Sequence, residues 1–287
     1  MKTGLILEGG AMRGMYTAGV LDVMMENHIW VDAAVGVSAG AVFGCNYKSR
    51  QIGRTIRYNK KYGRDPRYAG FHSLLKTGDY FGTEFCYHEI PERLDPFDSE
   101  TFQSNPMDFY VVGTDVTTGK AVYHKCTDGK GKDLEWFRAS ASMPLLSNIV
   151  EVDGYRLLDG GIADSIPLEW FCSIGYERNI VILTRDRSYQ KKKNKMIPLF
   201  KTLLRQYPEV AKAMARRHTM YNHELKLVEE QEKEGKALVI RPSEPITISR
   251  TENAPEKLEE VYQLGRKDGQ SNLEKMRLFL RTSRAGV

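Results

Sequence analysis

Residues 31–40 read Val31-Asp32-Ala33-Ala34-Val35-Gly36-Val37-Ser38-Ala39-Gly40. A short apolar run ends at Gly36, a serine stands with a glycine two residues to either side, and small helix formers follow. That order predicts a strand, a sharp turn and a helix, with the serine hydroxyl exposed on the turn and glycines where neighbouring backbone crowds. The helix beyond aims its first N–H groups at the serine, which favours developing negative charge. Upstream, Leu5-Ile6-Leu7 runs into Gly9-Gly10-Ala11-Met12-Arg13-Gly14, and Arg13 to Glu26 has apolar residues at helical spacing, Ala18, Leu21, Val23 and Met25 among them. Strand, glycine turn and helix, twice in succession, predict parallel strands with helices against them.

The same reading extends along the chain. Asp108–Val116 and Ala121–His124 form one hairpin, and Ile149–Val152 and Tyr155–Leu158 a second across Asp153-Gly154, a pair suited to a turn with positive φ. Asn179–Thr184 and Ala237–Ile240 read as buried strands, with helical stretches from about Met196 to Glu234 and from Pro255 to about Arg281. Residues 64–106 lack periodicity and are read as a long excursion with short helices, of the kind that walls an active site. Its Phe71, Leu74, Leu75, Tyr80, Phe81 and Phe85 are candidates for an acyl groove or for plain core. A boundary near Ser188–Lys195 divides the chain into a core, 1–187, and a mostly helical region, 188–287, whose strand 237–240 is expected to rejoin the core.

Composition narrows the class. With 287 residues, 41% hydrophobic, the chain has material for one large α/β core. The longest uncharged stretch, Ala33–Tyr47, is shorter than the ~20 apolar residues of a spanning helix, and the apolar run of the N-terminus ends at Glu8, too early for a secretory signal. A cytoplasmic protein is expected, with possible placement at the inner membrane face. The four cysteines (Cys45, Cys86, Cys126, Cys172) are widely spaced and read as reduced thiols rather than zinc or redox pairs. The net charge of +5 is uneven: residues 185–226 hold twelve Lys/Arg against three acids, and residues 48–67 hold eight against one. Such stretches suit a solvated face or an anionic membrane surface. No zinc-finger spacing or glycine-aromatic RNA signature accompanies them, so no nucleic-acid partner is expected.

Three local signals carry chemistry. Ser38 is a candidate nucleophile. The turn Gly9-Gly10-Ala11-Met12-Arg13-Gly14 leaves outward backbone N–H groups that can hold an oxyanion or a phosphate, with a fixed charge at Arg13. It also approximates a dinucleotide fingerprint, with Asp32 near the place of a ribose-binding acid, although Ala11 stands where that motif wants glycine. Asp159-Gly160-Gly161 ends the second hairpin, where it is either an ordinary turn or an acid set at a strand end.

Taken together, the glycine loop after the first strand, the serine elbow after the second and the later Asp-Gly-Gly resemble the patatin-like phospholipase family. Ala139-Ser140-Ala141-Ser142-Met143-Pro144 and Thr114–Gly119 agree with it over about residues 3–185. The resemblance implies a three-layer α/β fold, a mostly parallel central sheet with helices on both faces, plus a C-terminal helical segment. It implies a lipid acyl hydrolase without metal or other cofactor. In that scheme Ser38 is the nucleophile between Gly36 and Gly40, Asp159 with Gly160 and Gly161 is the direct base, and the oxyanion loop is Gly9, Gly10, Ala11, Met12, Arg13 and Gly14. Ala11 departs from the family's usual glycine but keeps its N–H. The alternatives are a histidine triad through His218 or His223, a nucleotide-binding module, and a catalytically silent lipid-binding protein. Lipid class, acyl position and oligomeric state are not specified.

Overall fold

A computed structural model describes residues 1–284. Its strands are β1 (Thr3–Leu7), β2 (Ala33–Val37), β3 (Asp108–Asp115), β4 (Ala121–Lys125), β5 (Val150–Val152), β6 (Tyr155–Asp159), β7 (Arg178–Ile182) and β8 (Ala237–Ile240). They form one sheet in the order β5-β6-β3-β2-β1-β7-β8, with β4 also paired to β3. The run β3-β2-β1-β7-β8 is parallel throughout, and the two hairpins add the antiparallel strands. β1 and β2 are buried at every residue, which is why they read as unbroken apolar runs rather than alternating ones.

The helices are α1 (Met15–Glu26), α2 (Ala39–Lys48), α3 (Arg54–Tyr62), α4 (Phe71–Thr77), α5 (Ser99–Ser104), α6 (Lys132–Ala141), α7 (Leu168–Ser173), α8 (Ile197–Leu203), α9 (Pro208–Lys233), α10 (Pro255–Ser271) and α11 (Leu273–Arg284). Successive strand residues face opposite sides. Leu5, Leu7, Ile180 and Ile182 join the core that holds α1, α2 and α10, whereas Ile6, Val35, Val37 and Val181 join Phe171 of α7 and Tyr221 and Val228 of α9. The result is α/β, a mostly parallel sheet with helices on both faces.

The C-terminal part is woven into this core. β8 extends the sheet beside β7, from Asn179↔Ala237 to Ile182↔Ile240. β7 stops at Ile182, short of the Thr184 expected from sequence, because the Thr184 N–H turns to the buried Glu8 carboxylate at 2.6 Å. α10 lies directly on α1. A Cβ at Gly265 would sit 2.0 Å from the Tyr16 carbonyl oxygen, and one at Gly19 would sit 2.2 Å from that of Tyr262, so the two backbones touch where only glycine fits. Tyr16 Oη donates to Asp268 and Tyr262 Oη to Asp22, tying both ends of the contact.

Residues 64–106 form short helices and a π-helical segment, Phe85–Leu94. The aromatic candidates part company here. Phe81 lines the apolar cavity next to Ser38 and Phe85 is buried core, but Phe71 and Leu75 point outward, 73% and 88% exposed, on α4. Among the described residues no helix is long and apolar enough to cross a membrane.

Candidate active site

The sheet register brings the serine and the aspartate together. β2 pairs with β3 up to Val37↔Val112, and β6 pairs with the next residue, Gly113↔Asp159. β4 faces Val111 to Thr114 from the other edge of β3, so β2 and β6 must share an edge. β2 runs parallel and β6 antiparallel to β3, and their C-terminal ends meet head-on. Ser38 follows the last residue of one and Asp159 is the last residue of the other. Both side chains are buried, and the Ser38 hydroxyl is among the groups that stabilise the Asp159 carboxylate.

The elbow holds a strained conformation. Ser38 has φ 54° and ψ −123°, a region that costs a non-glycine residue about 1–3 kcal/mol. Three hydrogen bonds keep it there. The Ser38 N–H donates to Ser140 Oγ at 2.8 Å, and its carbonyl accepts from Ala41 and Val42 N–H as α2 begins. Gly40 passes so near β1 that a Cβ would lie 2.2 Å from the Leu7 carbonyl oxygen. Gly9 lies directly against Ser38, Gly14 against Ala39 and Phe43, and Gly36 against Gly40 and Ala41.

The glycine loop lies at the same end of the sheet, since β1 and β2 are parallel neighbours with Leu7 opposite Gly36. Ala11 takes φ 49°, left-handed backbone that glycine enters more easily. Arg13 N–H returns to the Gly10 carbonyl and Met12 N–H reaches the Arg250 carbonyl at 3.4 Å. Among the described residues the N–H groups of Gly10 and Ala11 have no backbone partner. Asp32 stands at the opposite end of β2, where it accepts from Thr3 N and Oγ1. That placement removes the ribose-binding acid from the glycine loop and with it the basis of the dinucleotide reading.

Burial holds the Asp159 carboxyl above the ordinary carboxylate range, opposed by Arg217, the Ser38 hydroxyl, the Gly161 N–H and Arg250. The Gly161 N–H bond is 2.8 Å long. Neither His218 nor His223, both on α9, has a hydrogen bond to Ser38 or Asp159; His218 Nε2 contacts Thr219 instead. Gly160 packs on the Val112 carbonyl, and the Gly161 carbonyl accepts from Arg217 Nε. Behind this loop a half-buried acid pair, Asp164 and Glu224, shares a hydrogen bond. Asp164 accepts from Tyr123 Oη at 2.6 Å, and Glu224 accepts from the Ser165 and Ile166 N–H groups.

From Ser38 an apolar cavity runs between α2, α3 and the 64–106 excursion, lined by Val42, Tyr58, Phe81, Ile90, Phe97 and Phe137 among others. Its shape suits a hydrocarbon chain leading to the serine. Sequence reading missed four contributors around the site. Ser140 carries no assigned role within Ala139–Pro144, Lys191 and Arg217 show only as members of the basic stretch 185–226, and Arg250 lies outside both basic stretches. Among the described residues one group could hold a metal ion, His124 with Cys126 and Asp133. The Asp133 carboxylate already accepts from His124 and from the N–H groups of Thr127, Asp128 and Gly129, and the His124 ring stacks on Trp136, so the donors are spent on holding a loop.

The chain belongs to the patatin-like phospholipase family, whose pattern matches residues 5–171. Residues 207–281 match a second pattern, described as a domain of unknown function (DUF6363). The chain is 31% identical over 191 residues to the uncharacterized protein YjjU of Escherichia coli (strain K12), a match spanning 64% of this chain and 52% of YjjU. It is 26% identical over 183 residues to lysophospholipase nte1 of Aspergillus niger, spanning 61% of this chain but 11% of that much longer protein. The crystal structure of VipD from Legionella pneumophila aligns with 96% of this chain and 67% of its own at 10% identity, with a TM-score of 0.47.

Proposed function

We propose that the protein hydrolyses carboxylic esters of lipids through an acyl-Ser38 intermediate, with Asp159 as the base and no histidine between them. The observation that carries this is the meeting of β2 and β6 on one edge of β3, which brings Ser38 and Asp159 to adjoining strand ends. A free aspartate, with a pKa of about 3.9, is a poor base for a hydroxyl. Burial raises that of Asp159, and its nearness to Ser38 lets it act as the base without a relay.

Ser38 Oγ attacks the ester carbonyl as Asp159 takes its proton. The oxyanion lies at the Gly10 and Ala11 N–H groups, the acyl chain in the apolar cavity. Asp159 returns the proton to the departing alkoxide, leaving acyl-Ser38. Water then gives a proton to Asp159 as it attacks the acyl carbon, and Asp159 passes that proton to Ser38 Oγ as the Oγ–C bond breaks, releasing the acid and restoring the serine and the carboxylate. A lysophospholipid-type substrate is supported by the kinship with lysophospholipase nte1. Peripheral contact with an anionic membrane is supported by α8 and the segment before it, where Met196, Leu199 and Leu203 are exposed beside Lys192, Lys193, Lys195 and Lys201.

The test is fluorophosphonate labelling together with ester turnover. Wild type labels at Ser38. Ser38→Ala abolishes labelling and turnover, and Asp159→Asn lowers turnover at least a thousandfold while the protein stays folded. His218→Ala/His223→Ala keeps turnover within a few-fold of wild type. A double-histidine variant as inactive as Ser38→Ala would end the dyad assignment.

A further inference from the structure

Five cationic side chains converge where the glycine loop meets the Asp159 loop. Arg13 is buried, and its Nε has no hydrogen-bond partner. Its electrostatic neighbours are Arg185 and Arg250, then Glu8. Arg217 reaches from α9 to the Gly161 carbonyl, Arg250 offers its own carbonyl to Met12 N–H, and Lys191 lies 4.1 Å over the Tyr221 ring. Lys191 is in turn a neighbour of Arg217, Glu8, Arg250 and Arg13.

The carboxylates within this group cannot balance it. Glu8 accepts from Tyr221 Oη and from Thr184 N and Oγ1. Asp159 is engaged by Ser38 and Gly161 N–H. Among the described residues none of the five cations forms an ion pair with a carboxylate. Four arginines, with Lys191 when protonated, face two carboxylates, a positive surplus around a recess with Arg250 at its exposed rim, an arrangement that favours the entry of an anion. Four of the five, all except Arg13, lie outside the stretch 5–171 that matches the patatin-like pattern, and Arg217 and Arg250 lie within 207–281.

We infer that Arg13, Arg185, Lys191, Arg217 and Arg250 form a binding site for a phosphate group next to the ester-cleaving centre, which takes the headgroup phosphate of a lysophospholipid while the acyl chain occupies the apolar cavity. The inference rests on the hydrolase reading for the identity of the attached lipid, though not for the phosphate. The guanidinium forks of Arg217 and Arg250 give paired donors to phosphate oxygens, and Lys191 adds a point charge. Burial and the neighbouring arginines bring the Lys191 ammonium down to about 7, a group that an incoming phosphate would recharge. By this account residues 188–287 select the substrate on which the patatin-like part acts.

The experiment compares kcat/KM for a lysophosphatidic acid and for the monoacylglycerol with the same acyl chain. Wild type, Lys191→Gln, Arg217→Gln and Arg250→Gln are used as full chains, each checked for a cooperative melt. The phosphate-bearing ester is expected to be preferred by wild type, and each variant is expected to lower that preference about ten- to a hundredfold, the loss of one charge-assisted contact. Equal falls on both esters, or no change in the ratio, overturns the assignment. Inorganic phosphate gives the second readout: it raises the wild-type Tm, and the rise is lost in Arg217→Gln. A phosphate-dependent rise with an unchanged substrate ratio would overturn the headgroup assignment in favour of free phosphate. If wild type neither labels with a fluorophosphonate nor cleaves any ester, while the phosphate effect persists and is lost in Arg217→Gln, the hydrolase reading fails and the phosphate site stands.

Discussion

Ser140→Ala removes one oxygen atom from a fully buried position and isolates what the elbow depends on. Ser140 Oγ is the acceptor for the Ser38 N–H at 2.8 Å, and both residues are buried. Alanine fills the space but leaves the N–H without a partner, at a cost of about 1–3 kcal/mol. The same bond helps hold Ser38 at φ 54°, so its loss also lets the residue relax toward ordinary backbone. For a chain of this size each kcal/mol moves Tm by roughly 2–4 °C, so a fall of about 2–12 °C is expected. A small displacement of the hydroxyl from its attacking position is worth roughly ten- to a hundredfold in rate. Thermal melts and the rate constant for fluorophosphonate labelling measure the two effects on one preparation. A variant that melts within 1 °C of wild type and labels at the same rate would refute the reasoning, because helix α2 alone would then be sufficient to hold the elbow.

Burial, and then Asp164, lift the Glu224 carboxyl to about 10, so the folded chain holds a proton that the unfolded chain releases near pH 4.3. Stability therefore falls as pH rises between those values, by up to about 1.4 kcal/mol per pH unit for this group. Glu224→Gln should flatten the decline of Tm between pH 5 and 9 and raise Tm at pH 8; an unchanged slope would contradict the shared-proton description. Gly265→Ala places a methyl 2.0 Å from the Tyr16 carbonyl oxygen and should cost about 1–3 kcal/mol, measured by urea unfolding. A midpoint equal to wild type would mean that α1 and α10 are not in backbone contact.

The elements that sequence revealed were those whose signals are local. β1 and β2 are buried on both faces and so are uniformly apolar, and the serine elbow and the Asp153-Gly154 turn are dictated within five residues by backbone sterics. What brings Ser38 and Asp159 together is different in kind. It is the docking of β6 on β3 one residue beyond the end of β2, two registers across about 45 and 75 residues that together join positions more than a hundred apart. No periodicity encodes that, and the family resemblance, rather than pattern, pointed to the pair. The cations around Arg13 were hidden for the same reason, since composition counts charges without saying which ones converge. Asp32 shows the converse error: its distance from the glycine loop in sequence suited a ribose ligand, but it precedes β2 and so lies at the far end of the strand.

The glycine seam between α1 and α10 has a consequence for how this chain can be altered. α1 carries the Gly9–Gly14 turn on its leading end, and α10 belongs to the last hundred residues. Where two backbones touch, neither surface tolerates a new outline, so each must be inherited with its counterpart. Grafting the C-terminal portion of a relative onto this patatin-like half would mismatch that seam before it altered any chemistry, and a working chimera would have to exchange α1 and α10 as a pair.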